Sequence, residues 1–142
     1  MFDGQGTIDW PSVKRSGVEF ALIKATQGTY DTQATFARNW RGAKDAGVLR
    51  GAYHFFDPTE DGAGQAQHFL SALSAASMGD GGLAQALTDL PPVLDIECPD
   101  GSRDCLGTGA PGQAQAPEIS KRMWSFLRAV AAGSGRTPIV YT

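Results

Sequence analysis

Asp95 and Glu97 stand two residues apart in the run Val93-Leu94-Asp95-Ile96-Glu97. On a strand, residues two apart leave the same face, so both carboxyls point with Val93, while Leu94 and Ile96 point the other way. Two carboxylates in one pocket repel. One then keeps its proton near neutral pH while the other stays charged, which supplies an acid beside an electrostatic stabiliser. Glycosidic cleavage uses that division of labour. The same acids would also serve as caps for the following loop or as partners of Lys24, since perturbed carboxyls occur in structural networks too. Asp, Glu and His together can hold a cation, but His54 and His68 show no tight ligand spacing. No metal and no cofactor is expected.

Other polar residues fall late in apolar runs: Lys24 in FALIK (Phe20 to Lys24), Tyr53 and His54 in the run Leu49 to Phe56, and Tyr141 in PIVYT (Pro138 to Thr142). Alternation lets only one of Tyr53 and His54 join the acids. Tyr53 is the expected one, because the alternative buries a titratable ring at the centre of the fold. His54 then reads as a hydrogen-bonded core residue and His68 as a solvated one. Trp10, Trp40 and Trp124 are of a type that stacks on sugars, but Trp40 and Trp124 lie in helical patterns that favour core packing.

The elements that must position these residues alternate short apolar runs with amphipathic stretches, the pattern of parallel strands with crossover helices. Four strands are expected, at Phe20 to Lys24, Leu49 to Phe56, VLDIE and PIVYT, with a polar loop Ala25 to Asp31 after the first. Phe36, Trp40 and Ala43 mark a helix from about Thr35 to Ala46. Asp57, Pro58 and Glu60 suggest the capped start of a second helix, which buries Ala66, Phe69, Leu70 and Leu73. A third presents Ile119, Met123, Phe126, Leu127 and Val130. In parallel α/β sheets the site forms at the carboxyl ends of the strands, where the polar residues named above gather.

The chain has 142 residues, 42% of them hydrophobic, enough for one core and too few for two ordinary domains. A net charge of -3 and scattered cations exclude nucleic acid as the expected partner. No apolar run approaches the roughly 20 residues of a membrane-spanning helix. Cys98 and Cys105 flank the turn-rich PDGSRD, so a local disulfide is expected, with two idle thiols as the alternative.

The segments QGTIDW (Gln5 to Trp10), FALIKATQG (Phe20 to Gly28), YDTQATFARNW (Tyr30 to Trp40), GAYHFF (Gly51 to Phe56) and PPVLDIE (Pro91 to Glu97) resemble glycoside hydrolase family 25, the Chalaropsis-type lysozymes. They do so in order and spacing across nearly the whole chain. The resemblance implies an irregular TIM-like (β/α) barrel that hydrolyses the β-1,4 bond between N-acetylmuramic acid and N-acetylglucosamine of peptidoglycan, outside the cell or at its wall, as a monomer. It makes Glu97 the general acid and has Asp95 assist the substrate's own acetamido group, which attacks the anomeric carbon; Lys24, Tyr53, Tyr141 and Asp31 become candidates for groove contacts.

This sequence departs from the family pattern in three ways. The Asp of an opening Asp-Val-Ser-x-x-Gln-Gly strand has no counterpart at its spacing before Gln5, so Asp3 is expected in a loop. The family's Ala-Thr-Glu-Gly is here Ala25-Thr26-Gln27-Gly28. The last strands are absent. A barrel normally takes more than ~200 residues, so residues 1–142 are expected to be part of a catalytic domain, incomplete at both ends. A glycan-binding module without turnover and a chitinase-like hydrolase of N-acetylhexosamine chains are the contrasting possibilities.

Overall fold

The computed structural model describes residues 2–83, 89–97 and 116–142. The Cys98–Cys105 pair, the rest of the loop up to residue 115 and most of the Leu83 to Leu87 run lie outside them.

Five strands form one sheet in the order β2-β1-β3-β4-β5, namely β1 Phe20–Gln27, β2 Asp31–Thr32, β3 Leu49–Phe55, β4 Val93–Asp95 and β5 Ile139–Tyr141. The pairs β1/β3, β3/β4 and β4/β5 are parallel; β2 alone is antiparallel, folding back on the end of β1. Among the described residues the sheet is open, with β2 and β5 at its edges; the barrel that the resemblance implies, expected to be incomplete in residues 1–142, is not closed here. β1 also runs through Ala25, Thr26 and Gln27, the stretch expected as loop, and the two-residue β2 is too short for any periodic signal.

Among the described residues, the α-helices with both ends in view are α1 Trp10–Arg15, α2 Phe36–Asp45, α3 Gly62–Ala76 and α4 Ala116–Ser134. Asp9 caps α1 by accepting from Ser12 N at 3.2 Å. The cap of α3 is Asp61, which accepts from Gly64 N at 2.7 Å, and not Asp57. Asp57 is engaged instead with the backbone and hydroxyl of Thr59, at 2.8 and 2.6 Å. Close approach of α3 to α4 requires Gly62, since a Cβ there would strike the Arg122 carbonyl.

The core lies between the sheet and these helices. Phe36, Trp40, Ala43, Ala66, Phe69, Leu73, Ile119, Phe126 and Val130 meet Ile23, Ala25, Ala52, Phe56, Leu94 and Ile96 from the strands. Leu70, Met123 and Leu127 pack against its rim. Trp40 is buried as its periodicity suggests, but Trp124 is 55% exposed: it sits on the side of α4 away from the buried Ile119, Phe126 and Val130. Arg50 is buried on the helix face of β3. Its guanidinium meets Asp89 at 2.9 Å and Asp80 at 3.3 Å and lies over the Trp40 ring, so the charge is paired where it is desolvated.

Candidate active site

Register fixes which side chains share the face opposite the helices. Lys24, Tyr53, Val93 and Ile139 form one row across the parallel strands, and Gln27, Phe55, Asp95 and Tyr141 form the next toward the carboxyl ends. A bulge in β1 makes this possible. Between Lys24 and Thr26 one extra residue, Ala25, slips the register, so that Thr26 falls opposite His54 and Gln27 rejoins the row of Asp95. Val93 is buried outside the helix-side core, whereas Leu94 and Ile96 belong to it, in keeping with the alternation along β4.

Asp95 is 9% exposed, its Oδ1 has no hydrogen-bond partner among the described residues, and Glu97 next to it is exposed. Burial, the negative charge of Glu97 and a hydrogen bond to Glu97 push the Asp95 carboxyl up to about 7; Lys24 pulls weakly the other way. A hydrogen bond between two carboxyls requires a proton. Below about pH 7 the pair therefore holds one, resident on Asp95.

Tyr53 is half-buried on the same face. Burial, then the charges of Asp95 and Glu97, push its hydroxyl up to about 12, so it acts only as a neutral donor or acceptor. Lys24 donates to Gln27 Oε1 at 2.7 Å and lies over the Phe55 ring. Burial lowers its pKa, opposed by the carboxylates of Asp31 and Asp95. Asp31, on β2, accepts from Gln33 Nε2 at 2.7 Å. Tyr141 stands opposite Asp95 on β5 with its side chain 55% exposed, and its carbonyl accepts from Ile96 N at 2.9 Å, holding the chain just before Glu97. Tyr141 and, one row away, Lys24 and Tyr53 thus share the face of Asp95, whereas Asp31 stands opposite Gln27 on β2, three strands from it.

Tyr53 joins the acid face as expected, but the reason given for it needs correction, because His54 is fully buried all the same, on the helix side. Its ring stacks on Phe126 at 4.8 Å. Gln65 Oε1 already accepts from Asp57 N at 2.8 Å, so His54 Nε2 donates to it at 3.0 Å; Nδ1 then accepts from Thr26 Oγ1 at 2.8 Å. Burial pulls the His54 pKa down to about 4. His68 is part-buried rather than solvated: its Nδ1 donates to the Gly28 carbonyl at 3.0 Å and its Nε2 accepts from Thr32 at 2.7 Å. Asp3 forms a short 3-10 turn, and its carboxylate takes Ala34 N at 2.8 Å, Thr35 N at 3.0 Å and the Thr35 hydroxyl, leading into α2.

Tyr30, Gln27 and Asp57 complete the rim, and none of their roles is evident from spacing. Gln27 Nε2 donates to the Tyr30 hydroxyl at 3.2 Å, which in turn donates to Asp57 Oδ2 at 3.3 Å. Glu60 accepts from Thr29 N at 2.6 Å beside them. In the sequence Gln27 stands out only as the departure from Ala-Thr-Glu-Gly, Asp57 as a cap candidate and Tyr30 as the first residue of a resembling segment.

Fold and site together define an α/β protein with a carboxyl pair at the carboxyl end of a parallel sheet. The model of the glycosyl hydrolases family 25 matches residues 1–142. The chain belongs to that family. It is 42% identical over 141 residues to lysozyme M1 of Streptomyces globisporus, covering 97% of this chain and 43% of that protein. It is 33% identical over 144 residues to the N,O-diacetylmuramidase of Chalaropsis sp., covering 97% and 61%. The crystal structure of the bacterial lysozyme from Streptomyces coelicolor superposes with a TM-score of 0.78 at 35% identity, over all of this chain and 60% of that one. The chain therefore spans less than two thirds of each.

Proposed function

We propose that this chain carries the acid pair of a peptidoglycan muramidase that cleaves the β-1,4 bond between N-acetylmuramic acid and N-acetylglucosamine. One observation carries the reading: Asp95 is buried beside an exposed Glu97, and burial and the charge of Glu97 push the Asp95 carboxyl up to about 7. Glu97, the outer member, delivers a proton to the leaving oxygen. The proton on Asp95 moves to Glu97 as it does so, and Asp95 becomes the carboxylate that faces the acetamido N–H. The acetamido oxygen then attacks the anomeric carbon, so that the configuration is retained with no enzyme nucleophile. Tyr53 and Lys24 orient this exchange from the neighbouring strands, and Tyr141 and Asp31 line the groove.

The names of the lysozyme and muramidase relatives support this substrate and, with it, action outside the cell or at its wall. The chain acts as a monomer on this reading. The open sheet and the 43 to 61% coverage of relatives support a barrel closed by further strands, residues 1–142 being part of one catalytic domain.

Reducing ends released from purified peptidoglycan, by the chain and by the longest product of its reading frame, test the assignment. Release that Glu97→Gln abolishes is expected. Equal release by the Glu97→Gln variant would falsify the acid role, and proton NMR showing an inverted first-formed anomer would overturn the acetamido route. Turnover by the chain alone would overturn the need for further strands.

A further inference from the structure

Tyr30 is 62% exposed, yet it is not a loose surface ring. Gly28, with φ +50, leaves the space in which the ring lies; a Cβ there would strike the ring edge. One part of the ring is thereby seated on backbone while the remainder faces solvent. Its hydroxyl is tied from two sides, accepting from Gln27 Nε2 and donating to Asp57 Oδ2. An aromatic surface whose rotamer is fixed before a ligand arrives loses little entropy on binding, the condition that favours stacking on the apolar face of a sugar.

Its position is set by register. Gln27 and Asp95 occupy one row with β3 between them, so Gln27 is about 9.5 Å from Asp95 across two strand spacings. That places Tyr30 one or two sugar rings along the groove from the acids. The charges around it select the sugar. Asp57 accepts from its hydroxyl and Glu60 lies against Gly28, so the carboxylate of an N-acetylmuramic acid lactyl group would be repelled, whereas the hydroxyls and amide of a neutral sugar find acceptors.

Gln27 has a part that a glutamate could not play. Its amide accepts from Lys24 and donates to Tyr30 at once. A glutamate would pair with Lys24 but, when charged, has no proton to donate; it would compete with Asp57 for the tyrosine proton.

We propose that Tyr30, held by Gln27 and Asp57, is the stacking platform of a subsite for a neutral N-acetylglucosamine unit beside the acid pair. The choice of ligand rests on the muramidase reading. The probe is chitotetraose, a neutral N-acetylglucosamine tetramer, titrated calorimetrically into the Glu97→Gln protein. Tyr30→Ala is expected to weaken binding about tenfold, or ~1.4 kcal/mol. Tyr30→Leu, which keeps an apolar contact with Gly28, should weaken it equally, and Tyr30→Phe by less than about threefold because the ring remains. Gln27→Glu should fall between them.

Undiminished binding by folded Tyr30→Leu, or no chitotetraose binding by the parent, overturns the platform. If reducing ends are released by the Glu97 protein while Tyr30 variants bind normally, only the platform falls. Tyr30-dependent binding without any release by the longest product of the reading frame leaves the platform standing and removes the muramidase reading.

Discussion

The two faces of the sheet each bury a titratable group at the carboxyl end of a strand, and they treat it differently. On the helix face His54 has both ring nitrogens bonded, to Thr26 and Gln65, and its ring stacked on Phe126. On the other face Asp95 keeps one oxygen without a partner among the described residues and lies beside the charge of an exposed neighbour, Glu97. Burial favours the neutral form in both. For His54, pulled to about 4, that form is fixed across the neutral range. For Asp95, raised to about 7, the neutral form sits at the balance point. A satisfied buried group holds the fold; a poised one can exchange a proton.

The largest test of this contrast is Asp95→Asn, which on the muramidase reading lowers kcat/KM by about 100-fold or more. Peptidoglycan turnover should fall while circular dichroism stays unchanged. The wild-type rate should itself decline as pH rises through about 7, where the pair loses its shared proton. Stability falls with rising pH as well, over a lower window. The unfolded Asp95 ionises near its ordinary value of 3.8 and the folded one near 7, so folding is progressively penalised as pH rises between them. Asp95→Asn should thus melt higher than wild type above pH 7 and alike below pH 4; equal melting at both would break the comparison.

His54→Ala probes the opposite face. Loss of the stacked ring and of two buried hydrogen bonds should destabilise the fold by about 3 kcal/mol, read from urea unfolding. The sign of the pH effect reverses here. Folded His54 stays neutral down to about 4 while the unfolded side chain titrates near 6.5, so wild-type stability falls as pH drops from 6.5 to 4. The variant should lose that slope. Retention of it would move its origin to another group.

Smaller effects sharpen the acid face. Tyr53→Phe removes a hydroxyl that stays protonated beside both carboxyls and should cost about tenfold in rate with little change in melting. Lys24→Met removes a cation that draws the Asp95 carboxyl downward. The alkaline limb of the rate profile should then move up by about half a pH unit; an unmoved limb would mean that Lys24 does not act on the pair.

Much of this arrangement was legible in the residues alone. The alternation Val93, Asp95 against Leu94 placed Asp95 on the face away from the core, although β4 ends at Asp95 and Glu97 of the expected strand lies beyond it, and Phe36, Trp40 and Ala43 marked the buried stripe of α2, because both patterns repeat within a few bonds of backbone. Asp57 is the cap the sequence suggests; its carboxylate is taken up by Thr59 and Tyr30, and Asp61, not singled out in the sequence, caps α3 instead. Trp124 fits a helical pattern that says nothing of which helix face will meet a neighbour.

The sequence by itself determined the α/β alternation, the carboxyl pair and the family. The bulge at Ala25, the partners of His54, the antiparallel β2 and the Lys24–Gln27–Tyr30–Asp57 chain were decided only by tertiary structure. Strand pairing and desolvation sum over residues far apart in the chain, and no local period records them.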